Sequence, residues 1–308
     1  MPSLDVVAVG SALIDHVYTL SNLPEPDGGA FVHDYTTAAG GVAANVASAL
    51  AELERETGII TRLGAEAAEI EADLRERDLD IARIRSGPEE SSYSLVLRGP
   101  TGERMVVAGG RSVANLRLTD ADMPCLRSAS VVFTSAYAPD PVVSRLVAAR
   151  ERGEISTLVF DLAGPLAELE NRGTRPATID RLLAVVDLFV VGEVATRSYF
   201  DGGADEAATL LAGGAIDRAA VTRGREGALL VGGDSVIEIP AFGVAVEDTT
   251  GAGDVFTAGL IHAWLLEDSP APAAGRFAAA GAALNCTALG ARGHLPTKQD
   301  VHTFLERR

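Results

Sequence analysis

The segment Asp248-Thr249-Thr250-Gly251-Ala252-Gly253-Asp254 runs straight into the apolar stretch Val255-Phe256-Thr257-Ala258-Gly259-Leu260-Ile261. Two glycines around one alanine, set just before an apolar run, predict a helix start whose backbone N–H groups are unblocked. With the positive end of the helix dipole, those groups make a seat for an anion. Asp254 then falls in the first helical turn. Its charge would repel the ligand of a pure binding site. It becomes useful where a carboxylate takes the proton of a hydroxyl that attacks a phosphoryl group, with the amides of Gly251, Ala252 and Gly253 facing the charge that develops. A plain capped helix uses the same residues differently, with Thr250 or Asp248 as N-cap and Asp254 favourable beside the positive end.

A second glycine motif stands early in the chain, Ala39-Gly40-Gly41-Val42-Ala43-Ala44-Asn45-Val46-Ala47. Gly40 and Gly41 let backbone approach a ligand closely. Small and apolar residues at helical spacing predict a helix over 42–56, with Asn45 in its first turns. An amide both donates and accepts, which suits a sugar hydroxyl; satisfying local backbone at a helix start is the other use of such a residue.

These two motifs, in this order, resemble the signatures of the ribokinase, or PfkB, family of carbohydrate and nucleoside kinases, and the likeness covers nearly the whole chain. The resemblance implies an α/β, ribokinase-like fold: one domain over 1–308, a central mostly parallel sheet flanked by helices, and a small β-sheet lid. It implies ATP as phosphoryl donor, Mg²⁺ on the ATP phosphates, and Asp254 as general base above a Gly251–Gly253 anion hole. Asp15, Gly40, Gly41 and Asn45 would hold the acceptor. Glu193, Thr222, Gly224, Gly227 and Thr250 would lie along the nucleotide, and Asp248 beside a monovalent cation such as K⁺. The lid would serve as the surface of a homodimer.

The remaining pattern agrees. Leu4 to Gly10 reads as a buried strand, and Asp15 follows it, at the strand end where open α/β sheets place ligands, unless it simply starts a turn. Strands over 58–63, 131–134, 157–161, 188–191 and 219–222 alternate with helices over 140–152, 179–185 and 206–211, which predicts a parallel sheet covered on both faces. Helices are also expected over 255–266 and 271–288. Lid strands are expected near 15–19, 31–37, 91–98 and 103–108, the last two joined by a hairpin at Gly99-Pro100-Thr101-Gly102. His16 reads as a turn or packing residue. The chain also departs from the family pattern. Gly64-Ala65-Glu66 replaces Gly-x-Asp, Gly192 stands where an Asn usually precedes Glu193, and around Ala279 the Asn or His that would face adenine is missing, Asn285 being nearby but offset. Glu193 reads equally well as a helix N-terminal acid. The turn Thr222-Arg223-Gly224-Arg225-Glu226-Gly227 is by itself an ordinary strand–turn–strand.

Charge excludes some partners. The 308 residues carry a formal net charge of -17, and Lys298 is the only lysine. Nucleic acids and anionic membranes need basic surfaces, so neither is expected. The acidic, lysine-poor composition suggests a halophilic source, where salt screens self-repulsion. No stretch offers the ~20 apolar residues of a membrane span. The start of the chain lacks a basic leader, so a cytoplasmic protein is expected. Cys125 and Cys286 lack metal-ligand spacing and read as packed thiols. Residues 1–54 contain no Arg or Lys, and Leu162-Ala163-Gly164-Pro165 lacks the Arg of the family's keto-deoxy-gluconate kinases. Only lid residues such as Arg104 or Arg111 could meet a phosphate. A neutral ribose- or fructose-type sugar therefore ranks first as acceptor. A nucleoside stacked on Phe31, Tyr35 or Tyr93 ranks next, then an acidic or phosphorylated sugar. A non-catalytic sensor on the same fold would have no need of Asp254.

Overall fold

The computed structural model describes residues 3–214 and 216–308; Met1, Pro2 and Ala215 lie outside the described residues. An eight-stranded sheet forms the centre. Its order is Ser235–Ile239, Ala228–Gly232, Arg218–Thr222, Leu188–Gly192, Leu158–Asp161, Val131–Ser135, Val6–Val9 and Thr57–Ile60. The strands run parallel from Arg218–Thr222 through to Thr57–Ile60. The first two are an antiparallel appendix that the sequence pattern did not reveal.

Successive strand residues point to opposite faces. Val6 and Ala8 therefore enter one apolar cluster, and Val7 and Val9 the other. The first cluster receives the helices Val42–Glu52, Ala68–Glu76, Ala252–Leu260 and Ala271–Asn285, and the second Asp140–Glu151, Pro176–Leu183 and Ala204–Ala212. Burial on both faces explains why the strands read as unbroken apolar runs rather than as alternations.

Several boundaries differ from expectation. The helix expected over 42–56 stops at Glu52, and Glu54 turns the chain with a φ of 61°. The helix expected from 255 begins at Ala252, so Ala252, Gly253 and Asp254 lie in its first turn behind the Gly251 cap; beyond Leu260 it continues as a π-helical segment, Ile261–Leu266. The segment 58–63 divides into Thr57–Ile60 and Arg62–Leu63, and the latter pairs with Arg85–Ser86.

The second sheet has the order Val32–Gly40, Leu13–Leu20, Tyr93–Arg98, Arg104–Gly109. All four expected lid strands are present, two of them longer than expected. Asp15 is consequently a lid residue, paired with Ala38 on one side and Ser94 on the other, and not a turn residue after the first strand. Register and alternation place Asp15, Ser94, Arg98 and Arg104 on one face of the lid. His16, Tyr18, Tyr35, Tyr93, Met105 and Val107 lie on the other.

Candidate active site

The site lies at the carboxyl ends of the central strands, under the lid. Gly251 caps the helix Ala252–Leu260 with a φ of 76°, a conformation that disfavours side chains. A side chain there would also strike the backbone of Ala291. No side chain caps this helix. The Ala252 N–H donates to the Thr249 carbonyl at 3.3 Å, while those of Gly251, Gly253 and Asp254 meet no acceptor among the described residues. Gly253 is exposed, with nothing within 4 Å of where a Cβ would stand. Free donors at an open helix N-terminus are what an anion seat requires. The free donors at this helix start are thus those of Gly251, Gly253 and Asp254, while the Ala252 N–H is spent on Thr249.

Asp254 keeps part of its surface open, but protein encloses its carboxyl. Asn45 Nδ2 donates to its Oδ2 at 2.7 Å. Burial is the main cause that pushes its pKa up to about 7; Asp161 and Asp15 add to the rise, and the Asn45 bond and the Arg292 charge oppose it. A carboxyl poised near neutrality is suited to receive a proton from an alcohol. Asp161, at the end of its strand, is itself buried and raised to about 6 for want of solvent, with one bond from the Ala163 N–H.

On the acceptor side, Gly40 has no side chain because the Asp15 carboxyl occupies that space. Ser94 donates to Asp15, whose pKa burial raises while Ser94, Arg292 and His16 pull it down. Gly41 caps the Val42–Glu52 helix at a φ of 101°, which sets Asn45 in the first turn, facing Asp254. Both ends of the Asn45 amide are engaged by protein: Oδ1 accepts from Arg292 Nε at 2.9 Å.

The lid reaches the anion seat through two arginines, paired in register across the hairpin. Arg98 donates to Asp248, and Arg104 Nη1 donates to Thr250 Oγ1 at 2.8 Å. Asp248 also accepts from the Thr250 N–H at 2.9 Å, the Thr250 hydroxyl at 2.7 Å and the Gly290 N–H at 2.7 Å. Those donors hold its pKa down against burial. With Arg98 docked, its carboxylate has no lone pair left for a monovalent cation, so an ion bound through this side chain does not fit. No group of three or more His, Cys, Asp or Glu among the described residues could hold a metal ion.

Most of the residues expected along the nucleotide gather at the carboxyl ends of two neighbouring interior strands. Thr222 ends its strand in register with Gly192, directly before Glu193. Glu193 opens the helix Glu193–Tyr199 and pairs with Arg197. Gly224 starts the turn that follows Thr222, and Gly227 packs on the Ile239–Ala241 backbone, which leaves no room for a side chain. Arg223 binds Glu238 at 2.7 Å. The aromatic candidates fall elsewhere. Tyr35 and Tyr93 meet at His16 on the lid face turned away from Asp15, and Phe31 is 70% exposed, so none of the three is placed to stack on an acceptor under the lid.

Residues 3–298 match the profile of the pfkB family carbohydrate kinases. The chain belongs to that family. It is 30% identical over 308 residues to the ATP-dependent ribose-1-phosphate kinase of Halopiger xanaduensis, covering 98% of each chain. To the ribokinase of Haemophilus influenzae it is 26% identical over 312 residues, again 98% of each. Its fold matches that of Thermotoga maritima ribokinase with a TM-score of 0.82 at 22% identity, over 98% of this chain and 99% of that one. The Arabidopsis thaliana ribokinase solved with ribose and ATP gives a TM-score of 0.82 at 22% identity, over 99% of both. The expected ribokinase-like fold is therefore borne out. In this sugar kinase the two glycine signatures meet directly, Asn45 of the first donating to Asp254 of the second across 209 residues of chain.

Sequence reasoning did not single out Asp161, Ser94, Arg98 or Arg292. Asp161 carried a usable signal, a carboxylate ending an apolar central strand. Ser94, Arg98 and Arg292 carried none, because their positions follow from strand register and from a turn packed against Gly251.

Proposed function

We propose that the chain transfers the γ-phosphoryl group of ATP to a hydroxyl of a ribose-type sugar, with Asp254 as general base. The observation that carries this is a carboxyl with a pKa near 7, held by Asn45 through one oxygen, beside free N–H donors at a helix N-terminus. The second oxygen of Asp254 is left for the acceptor hydroxyl. It orients that hydroxyl in line with the phosphoryl group and takes its proton late, as a loose transition state allows. The N–H groups of Gly251, Gly253 and Asp254 meet the charge on the transferred oxygens. Asp15, held by Ser94, accepts from further acceptor hydroxyls, next to the Gly40–Gly41 backbone. Thr222, Gly224, Gly227 and Thr250 line the nucleotide. Mg²⁺ would neutralise the ATP phosphates, and Glu193, whose carboxylate engages Arg197 alone among the described residues, is the residue suited to order it through water. A need for ATP fits a cytoplasmic setting.

A neutral sugar suits a pocket edged by Asp15, Asp161 and Asp254. One observation favours a second acceptor, a ribose that already carries phosphate. Arg104 spends its charge on the neutral Thr250 hydroxyl rather than on a carboxylate, and the Halopiger relative bears the name ribose-1-phosphate kinase. The lid's outer face, with Tyr35 at 47%, Met105 at 49% and Val107 at 52% exposure, is proposed to pair with a second copy of the chain, because apolar strands at a sheet edge invite such pairing. The acidic surface is proposed to serve a salt-rich environment.

The test is an ADP-release screen over ribose, fructose, ribose 1-phosphate and nucleosides, repeated with Arg104→Gln. Preference for ribose 1-phosphate that Arg104→Gln abolishes selects the phosphorylated acceptor. Preference for ribose, unaltered by Arg104→Gln, selects the neutral one. ADP release with none of them would contradict both.

A further inference from the structure

Arg292 is the most enclosed cation of the site, with a side chain 4% exposed. It stands in the turn after the helix Ala271–Asn285, where the Ala291 backbone lies against Gly251. Its guanidinium donates in four directions. Nε reaches Asn45 Oδ1 at 2.9 Å, Nη2 the Gly40 carbonyl at 3.3 Å, and Nη1 both Ser48 Oγ at 3.4 Å and the Asp73 carboxylate. Asn45 then donates through Nδ2 to Asp254 at 2.7 Å. A guanidinium can only donate, so the amide must turn its oxygen to Arg292 and its nitrogen to Asp254. Without Arg292 the amide oxygen loses its fixed donor, and the amide could rotate to accept from Asp254 whenever that carboxyl is protonated. The Gly40 contact ties the same side chain to the acceptor loop.

We propose that Arg292 is the positioning residue of this site: through the Asn45 amide it fixes which oxygen of Asp254 is held and which is presented to the acceptor hydroxyl. This rests on the reading of Asp254 as the base. Arg292 touches neither the base nor the reacting atoms, so it acts through Asn45 and through its charge. The groups facing it are Asp73 and Arg77 from the helix Ala68–Glu76 and its cap, Asn45 and Ser48 from the Val42–Glu52 helix, and Asp15 from the lid. Those facing Asp254 are Asn45, Asp161, Asp15 and Arg292. Arg292 is thus the cation that opposes Asp15 and Asp161 at the base.

The test is kcat against pH for Arg292→Met and Arg292→Lys in the full chain, with ATP and ribose, or ribose 1-phosphate where that turns over faster. Asp254→Asn runs alongside. For Arg292→Met, kcat falls by about 10- to 100-fold, as misoriented catalytic groups do, while the KM for ATP stays unchanged. The acid limb of its profile moves up by about one pH unit, because an opposite charge near the carboxyl has gone. Arg292→Lys keeps the limb at its wild-type position and recovers part of kcat. A Met variant with wild-type kcat and limb overturns the proposal. So do Lys and Met variants equally slowed with unmoved limbs, the mark of a structural role. Should Arg292→Met not fold, because Asp73 is left unpaired, the double variant Asp73→Asn/Arg292→Met removes that charge and is read for the same limb. If Asp254→Asn keeps its turnover, the base assignment fails and the proposal with it. If only the Arg292 variants behave as wild type, the base stands and the positioning role falls.

Discussion

Asn45 shows how a residue's type and its use can part. Its amide suits a sugar hydroxyl, yet its nitrogen is committed to Asp254 and its oxygen to Arg292. Asp15 is held by Ser94 on the lid face that looks into the pocket. The two should fail differently. Asp15→Ala should raise the KM for the acceptor with kcat nearly intact, since it removes binding made in ground and transition states alike. Asn45→Ala should lower kcat, since it frees the base. Steady-state kinetics in both substrates checks this, and a purely KM effect for Asn45→Ala would contradict the geometry. At this scale the sequence was most informative where chemistry allows few residue types. A glycine at φ 76° or an acid beside an anion seat can be named from its neighbours in the chain. Arg292 could not be, because it meets Asn45 across 247 residues and stands in a turn with no periodic pattern.

The small four-stranded sheet is the element on which closure is proposed to depend. Its strands Tyr93–Arg98 and Arg104–Gly109 bring Arg98 and Arg104 onto Asp248 and Thr250, polar contacts that bound substrate can replace or strengthen. Phosphoryl transfer needs water kept out. Backbone amides over 93–109 should therefore gain hydrogen-exchange protection when acceptor and nucleotide bind together, and unchanged exchange with a turning-over acceptor would argue against a lid there. Elements bounded by glycine and rich in β-branched residues were readable in advance, including all four lid strands and the parallel core strands. The helix Ala68–Glu76 was not, being short and mostly polar, and of Glu193–Tyr199 only the acidic start was; the strands Ala228–Gly232 and Ser235–Ile239 were lost because their hairpin follows a glycine-rich turn. Helix ends were misplaced by a few residues where caps, rather than apolar periodicity, decide them.

For the molecule as a whole, two electrostatic balances set stability. The first is global. A net charge of -17 repels itself, and its arginines are largely paired with carboxylates, as in Arg62–Glu89, Arg85–Asp122 and Arg150–Asp187. The melting temperature should climb as KCl rises from low to molar concentration, because screening relieves the unpaired acids; full stability at low salt would remove the case for a halophilic source. The second balance is local and bears on the central claim. The folded pKa of Asp254 is about 7, above an unfolded value near 3.9. The folded state therefore holds this proton more tightly, so stability falls as pH rises from about 4 to about 7, and the loss is complete above that range. Replacing the carboxyl by an amide removes the penalty. Had Asp254 served only as a favourable first-turn charge, the same change would cost about 0.3–1 kcal/mol. The decisive measurement is kcat and melting temperature of Asp254→Asn at pH 8, side by side with wild type. A catalytic base predicts a loss of turnover on the order of 10²–10⁴-fold with both substrates still bound and a melting temperature that rises. Near-normal turnover with a lowered melting temperature would contradict it.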